Sequence, residues 1–548
     1  MRNRGWWLGG IIALVAALVT VGLVAVPGGH ARAAPRKPNI VFVLTDDLDW
    51  SLVQYMPHVI QLERDGVTFD HYFVSDSLCC PSRSTIFTGL FSHDTGVVGN
   101  VGKNGGYASF AKHHDEKKTY AVPIRRAGYL TSMMGKYLNG YGGEDLRVQE
   151  VEMPTKHVPP GWSDWHVGFA QGYSEFNYHL NENRRITHYG HKQRDYLTDV
   201  LALRAKAFIG RAAAAHKPFV MEVATFAPHR KPVTVHNVPE FPYAPRDAGE
   251  FRGLGVPRDP SFNAPNVNAP SWLRQHPHLP PRYVATVDAE YRQRAQSVQA
   301  VDRLLGVVEA QLRDRGLAGN TYIVFSSDNG YHLGEHQLLG GKESAFKTDI
   351  HVPLIIAGPG VPGNRIVSRV VQNIDLNPTF VQIAGGRLLH TVDGHSLLPL
   401  LHPARDKPQL RWPTAALIEH NAVPRFIPQG NAPGLVDPDL EPGDLGLVTF
   451  NALPAAKDNP APAAAINPRR YGAVRVFNRQ LGNVIYVEYV NHQREYYNID
   501  NDPYERLNIY KQEKRRHPNR LRKLHRILIA LENCHNAAAC WKAGQPQP

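Results

Sequence analysis

The sequence predicts an α/β fold: a large, mostly parallel central sheet flanked by helices, with a smaller C-terminal α+β domain built on an antiparallel sheet. Three observations carry this expectation. Short unbroken apolar runs recur along the chain, the pattern of strands buried on both faces. Amphipathic helical patterns separate several of them, as a parallel sheet with crossover helices requires. Four of the five runs end in polar residues of catalytic type, where an open α/β sheet places its ligand site. Of the 548 residues, 43% are hydrophobic and 20% charged. That balance supports a sizeable core and excludes a fibrous or largely disordered chain.

The elements follow in chain order. Residues 1–34 have the form of an export signal: Arg2 and Arg4 precede the uncharged run Leu8–Val26, and Ala31-Arg32-Ala33 supplies a small-residue cleavage site. The run is also long enough for an N-terminal membrane anchor, and no later apolar segment is. The strand-like runs are Asn39–Leu44, Tyr129–Met134, Phe219–Thr225, Tyr322–Ser326 and Pro353–Ala357. Residues 231–285, rich in Pro, Asn and His, are expected to form a long surface excursion. Val298, Val301, Leu304, Leu305, Val308 and Leu312 form one face of a helix. A Pro/Ala/Gly-rich tract at 421–470 precedes a hairpin at Tyr471–Phe477 and Asn483–Val490. A final helix carries Leu521, Leu524, Leu528 and Leu531 on one face. This gives a catalytic α/β domain over 35–410 and a C-terminal α+β subdomain over 411–548.

The formal net charge is +12, which favours an acidic substrate or surface. No zinc-finger, basic-zipper or RNA-binding signature accompanies it, so nucleic acid is not the expected partner. Arg520, Arg522, Lys523 and Arg526 read as a solvated helix face, with a polyanionic glycan as the alternative occupant. Of the four cysteines, Cys534 and Cys540 are close enough in sequence to pair outside the cytosol. Cys79 and Cys80 are adjacent, and a disulfide between neighbours is strained, so they need another explanation.

The runs end in Thr45-Asp46-Asp47, Gly135-Lys136, Ala227-Pro228-His229 and Ser327-Asp328-Asn329-Gly330. If the loops converge, Asp46, Asp47, Asp328 and Asn329 supply three carboxylates and an amide oxygen, a donor set for a hard cation such as Ca²⁺ or Mg²⁺. His332 and His336 have a spacing that zinc uses on helices, but Gly330 and Gly334 argue against a helix there. They are expected in a supporting or substrate-side position.

The sharpest signal is Leu78-Cys79-Cys80-Pro81-Ser82-Arg83-Ser84-Thr85-Ile86-Phe87-Thr88-Gly89. It resembles the signature of the formylglycine-dependent sulfatases, C-x-P-S-R followed by T-G, matched by Cys79, Pro81, Ser82, Arg83, Thr88 and Gly89. The segments TDD, GKYLNGYG, APH, SSDNGYHLGEH, GGKES and IHVPL occur in that family's order. LCCPSRS and GKYLNGYG look most like the N-acetylglucosamine-6-sulfatase branch of this alkaline-phosphatase-like superfamily.

The resemblance implies that a formylglycine-generating enzyme converts Cys79 to 3-oxoalanine (formylglycine), with Cys80 at a variable position. It implies Ca²⁺, in preference to Mg²⁺, on Asp46, Asp47, residue 79, Asp328 and Asn329. Arg83 would hold the nucleophile and the carboxylates; Lys136, His229 and Lys342 would contact sulfate, with His229 or Lys342 protonating the leaving oxygen. The hydrated aldehyde would attack sulfur through one hydroxyl and expel sulfate through the other. One position departs from many family members: Leu138 stands where a His often deprotonates the diol, which leaves the base unassigned. The implied substrate is a sulfated carbohydrate, probed as the 6-O-sulfate of an N-acetylglucosamine-type sugar, and the implied location is secreted, periplasmic, cell-surface or lysosomal. The alternatives are a phosphonate or phosphodiester hydrolase of the same superfamily and an inactive glycan-binding homologue.

Overall fold

The computed structural model describes residues 37–142, 156–169, 171–231, 240–402, 411–421 and 470–545. The export-type segment at 1–34 and almost all of the tract at 421–470 lie outside the described residues, as does the segment just before the domain boundary expected at 410/411. No helix among the described residues is long and apolar enough to cross a membrane.

β1 (Asn39–Thr45) runs between β8 (Phe219–Ala224) and β9 (Thr321–Ser327), parallel to both. Beyond β8 lie β4 (Leu130–Gly135) and β5 (Asp164–Phe169), also parallel. β6 (Tyr178–Glu182) and β7 (Arg185–Tyr189) close that edge in antiparallel fashion. On the other side, β9 pairs with β10 (Leu354–Ala357), followed by β2 (Val67–Phe69) and β11 (Arg365–Val367), completing a 10-stranded sheet. A two-stranded sheet joins β3 (Tyr72–Phe73) to β12 (Val371–Gln372). β13 (Ala415–His420), β14 (Tyr471–Asn478), β15 (Gly482–Tyr489) and β16 (Arg494–Asn498) form a separate antiparallel sheet.

The side chains of β1 explain its unbroken apolar sequence. Ile40, Phe42 and Leu44 enter the core on one face of the sheet, while Val41 and Val43 enter the core on the other. Strand alternation therefore buries every residue, because both faces are covered. The helices Leu197–Ala214 and Pro281–Asp314 contribute to the second core through Leu201, Ala205, Val298, Val301 and Leu305. The first core receives Ile86 and Phe87 of the helix Cys79–Thr88 and continues to Ala473, Ile485 and Val487 of the smaller sheet. Leu521, Leu524, Leu528 and Leu531 of the helix Pro518–Glu532 pack on that sheet's opposite face. Cys534 and Cys540 form a disulfide just beyond this helix.

Two expectations need correction. The run at Pro353–Ala357 is a strand, but it lies antiparallel to β9. Parallel pairing requires a crossover of substantial length, and between β9 and β10 the chain forms only the four-residue helix Lys347–Ile350 before turning back. The stretch at 231–285 is also more than a surface excursion. Ala269, Trp272 and Leu273 enter the main core, and Trp272 Nε1 donates to Tyr489 Oη of the smaller sheet at 3.0 Å.

Candidate active site

β9, β1, β8 and β4 are consecutive and parallel in the sheet, so their carboxyl ends form one rim. Backbone bonds join the segments that leave it. Asp328 N donates to Thr45 O at 3.1 Å, Thr225 N to Leu44 O at 2.9 Å and Lys136 N to Ala224 O at 2.8 Å. Asp46, Asp47, Lys136, His229, Asp328 and Asn329 thus converge although up to 283 positions separate them in sequence.

The helix Cys79–Thr88 points its first residue at this rim. Pro81 is the third residue of this helix. Proline is tolerated there because the first helical turn has no N–H partners to lose. Gly89, in the left-handed region with φ of 72°, ends the helix as its N–H donates to Thr85 O. All ten helix residues are buried.

The neighbouring cysteines diverge. Cys79 Sγ lies 3.3 Å from Asp46 Oδ1 and 2.9 Å from Lys342 Nζ. Cys80 Sγ instead accepts from Asn139 N at 3.1 Å, and its backbone N–H donates to Asn100 Oδ1 at 2.8 Å. Leu138 packs in the core and offers no proton-transfer group.

Cations interleave with the acids. Lys136 Nζ donates to Asp46 Oδ2 at 2.5 Å, and Lys342 Nζ to Asp47 Oδ1 at 2.6 Å. Arg83 Nε donates to Asp328 Oδ2 at 2.7 Å, and its Nη1 to Lys136 O at 3.1 Å. Burial works against the charge of Asp46, yet Lys136, His229 and Arg83 hold its carboxyl below the usual carboxylate range. Burial likewise opposes the charges of Lys136 and Arg83, but the acids beside them raise both above their ordinary values. The three groups are therefore ionised at neutral pH.

Which groups could hold a cation? One ligand atom each from Asp46, Asp47, Cys79 and His229 lies within 4.8 Å of the others. Asp47 Oδ2 and Asn329 Oδ1 are buried acceptors that receive no hydrogen bond among the described residues. Asn329 Nδ2 meanwhile donates to Asp47 Oδ1 at 2.6 Å. Buried acceptors without donors are costly, and an oxygen-rich set of this kind fits a hard divalent cation. Asp328 is more heavily engaged: Arg83 takes one oxygen, and the N–H groups of Asn329 and Asp47 donate to the other at 2.8 and 3.3 Å.

His229 Nδ1 sits 2.7 Å from Arg230 O. A carbonyl only accepts, so Nδ1 carries a proton and Nε2, 3.5 Å from Asp47 Oδ2, is the nitrogen that exchanges protons within the site. His332 supports the neighbouring loop, with Nδ1 2.9 Å from Asp349 Oδ1 and its N–H donating to Gly341 O at 2.8 Å. His336 stacks on Phe346 at 3.8 Å, and burial pushes its pKa down to about 3. The two histidines share no helix, and each ring is held by its own partners.

Sequence reasoning missed several contributors. Tyr173 places its ring 4.6 Å from the His229 ring and 4.8 Å from Lys136 Nζ; it stands in the 3-10 helix Gly172–Ser174, which is too short to give a periodic signal. Arg294 Nη2 donates to Asp47 O at 2.6 Å and Asp49 Oδ2 at 2.8 Å. The signal for Arg294 was present, because it occupies a buried position in the same helical series as Tyr291 and Val298.

A buried acidic cluster on a parallel-sheet rim, lined by cations and headed by a helix N-terminus, defines a hydrolase of anionic esters. The sulfatase family model matches residues 38–386. The human N-acetylglucosamine-6-sulfatase is 33% identical over 527 residues, covering 94% of this chain and 88% of that protein. The extracellular sulfatase SULF-1 homolog of Drosophila melanogaster is 34% identical over 71% of this chain, which spans only 33% of that longer relative. A solved structure in complex with its substrate, D-glucosamine-2-N,6-O-disulfate, superposes with a TM-score of 0.69 at 20% identity, covering 93% of this chain and 99% of that one. The chain belongs to the sulfatase family and is a sulfuric ester hydrolase with the alkaline-phosphatase-like fold.

Proposed function

We propose that this sulfatase is exported and removes the 6-O-sulfate of glucosamine-type sugars, with Cys79 matured to formylglycine and Ca²⁺ held by Asp46, Asp47, Asp328 and Asn329. The observation that supports this most strongly is the placement of Cys79. It is the first residue of a buried helix, directed between Asp46 and Lys342, while Cys80 is engaged elsewhere. The near full-length similarity to the human N-acetylglucosamine-6-sulfatase supports the sugar class.

Formylglycine and the cation would supply, respectively, a hydrated-aldehyde nucleophile and polarisation of the ester oxygens. The chain's own residues do the rest. A sulfate monoester is anionic and repels nucleophiles, so Lys136, Lys342 and Arg83 offset its charge inside a site from which water is largely excluded. Arg83 is fixed by Asp328 and the Lys136 carbonyl and therefore needs little reorganisation when substrate binds. His229 Nε2 delivers a proton to the departing sugar oxygen, while the bond between Nδ1 and the Arg230 carbonyl holds the ring in place. Asp47 Oδ2 faces Nε2 at 3.5 Å. Removal of divalent ions with a chelator should abolish turnover, and Ca²⁺ should restore it better than Mg²⁺.

The test compares 6-O-sulfated glucosamine oligosaccharides, an aryl sulfate and a phosphonate ester under the same conditions. Preference for the sulfated sugars is expected, and it should weaken with salt as exposed charges are screened. Preference for the phosphonate would replace the substrate reading with the phosphonate-hydrolase alternative.

A further inference from the structure

Beside His229 stands a second polar group that the chemistry above does not use. Arg230 is 3% exposed, and its Nη2 receives no partner among the described residues. Its surroundings do not explain this. Glu290 and Tyr331 lie within electrostatic range of it, and Tyr331 is also within range of Asp47 in the catalytic cluster. The other nearby cation is engaged through one nitrogen: Arg294 Nη2 bonds Asp47 O and Asp49 Oδ2, with its guanidinium 4.3 Å above the Tyr331 ring, while its Nε and Nη1 also lack a partner among the described residues. Both cations thus keep donor capacity, and Arg230 is the one that directly follows His229 in the chain.

The opposite wall comes from Gly340. A Cβ there would stand 2.6 Å from Tyr331 Oη and 3.0 Å from Glu290 Oε2. A side chain there would displace the Tyr331 hydroxyl and the Glu290 carboxyl, two residues before Lys342. Burial, only partly offset by Arg230 and Arg294, pushes Glu290 up to about 7, so near neutrality it can donate as well as accept. A buried guanidinium lacking a full set of acceptors destabilises the fold. It is tolerated where a ligand completes its bonding, and arginine is suited to planar or multi-oxygen anions.

We infer that Arg230, with Glu290 and Tyr331 beside it, forms a subsite for a second anionic group on the substrate, adjacent to the ester being cleaved. This rests on the sulfated-sugar reading above and adds a selectivity to it. The group is an oxyanion: either an N-sulfonate on the same glucosamine or the carboxylate of an adjoining uronic acid. No covalent step is involved.

The experiment compares wild type, Arg230→Ala and Arg230→Lys on three 6-O-sulfated substrates: N-sulfonated glucosamine, N-acetylglucosamine, and a uronate-containing disaccharide of N-acetylglucosamine. Loss of a charge-assisted contact should lower the kcat/KM ratio of the preferred anionic substrate over N-acetylglucosamine by roughly 10- to 100-fold in Arg230→Ala. The loss should fall mainly in KM, with partial recovery in Arg230→Lys. Dependence on Arg230 for the N-sulfonated monosaccharide alone assigns the N-sulfonate; dependence for the disaccharide alone assigns the carboxylate. An unchanged ratio, whether because all three substrates suffer equally or because none does, overturns the inference and leaves Arg230 as support for His229. Calorimetry with the 6-O-desulfated forms of the same sugars provides a readout independent of turnover. If wild type cleaves none of the sulfated sugars, the substrate reading fails. Binding of the anionic sugars that weakens at least 10-fold in Arg230→Ala would still uphold the subsite, and Arg230-independent binding or none would sink it.

Discussion

The large and small sheets both bury ionised or polar groups, but they treat them differently. In the small sheet, Glu495 accepts from Tyr489 and Tyr497, and Trp272 donates to Tyr489. Arg475 donates to Val476 O and Val484 O and stacks over Phe477 at 4.0 Å. These groups satisfy one another from within, as interior polar groups do when their role is structural. At the rim of the large sheet, Asp47 Oδ2, Asn329 Oδ1 and Arg230 Nη2 lack hydrogen bonds among the described residues. The contrast teaches how the two clusters differ: the Glu495 and Arg475 groups close on one another, whereas the rim keeps acceptors and a donor open where strand ends, helix terminus and catalytic-type side chains meet.

The largest expected effect comes from breaking the rim at residue 79. Cys79→Ser should lose at least ~10³-fold in kcat, because a serine left as the alcohol forms a sulfate ester with no second hydroxyl to expel sulfate. Cys80→Ser, on the other side of the helix, should retain most activity, since a hydroxyl can still accept from Asn139 N. Steady-state kinetics alongside circular dichroism separates the two. Equal losses would indicate a joint structural role for the pair.

Next comes Asp328→Asn. It keeps a hydrogen-bonding side chain beneath Arg83 but removes the charge that fixes the guanidinium. Turnover should fall by roughly 10²-fold or more while the far-ultraviolet spectrum persists. Near-normal turnover after chelation and dialysis would remove Asp328 from the site.

A smaller effect is expected at His93, which links the two regions. Burial disfavours its charge, but Glu419, the Cys534 carbonyl and Asp94 outweigh burial and push its pKa up to about 9. The folded value lies above the ordinary value near 6.5. Its contribution is therefore fully present below about pH 6.5 and lost as pH rises through about 9. The Tm of wild type should decline across that window more steeply than that of His93→Gln; parallel curves would show that another group dominates.

The smallest is Tyr489→Phe in the small sheet. Losing its bonds to Glu495 and Trp272 should destabilise by about 1 kcal/mol, read by thermal denaturation, with sulfatase activity intact. A loss of activity larger than the loss of folded protein would erase the distinction between the two sheets.

Much of this arrangement was legible in the sequence for physical reasons. β1, β4, β8 and β9 are covered on both faces, so their apolar runs are unbroken and their polar ends stand out. The order of β10 was not legible, because an apolar run does not encode strand direction. Cys79, Arg83 and Lys342 lie off the strand ends, and they were recognised through motif resemblance. Glu290 and Arg294 were overlooked although they interrupt the buried face of the helix Pro281–Asp314. Charged residues in an apolar stripe are a usable signal, since such positions need partners. Tyr173 carried no comparable pattern and only the fold brings it to His229, while Arg230 follows His229 in the chain and only the fold shows its guanidinium to be buried.

The central claim is that residue 79 is a precursor whose matured form completes the rim. It is tested most directly by the mass of the peptide carrying Cys79, isolated from protein co-produced with a formylglycine-generating enzyme and assayed for turnover. Formylglycine replaces the thiol by a lighter aldehyde oxygen, so the two forms resolve cleanly. The account predicts that the modified fraction and the specific activity rise together across preparations. Full activity in protein whose residue 79 remains an unmodified cysteine would contradict it.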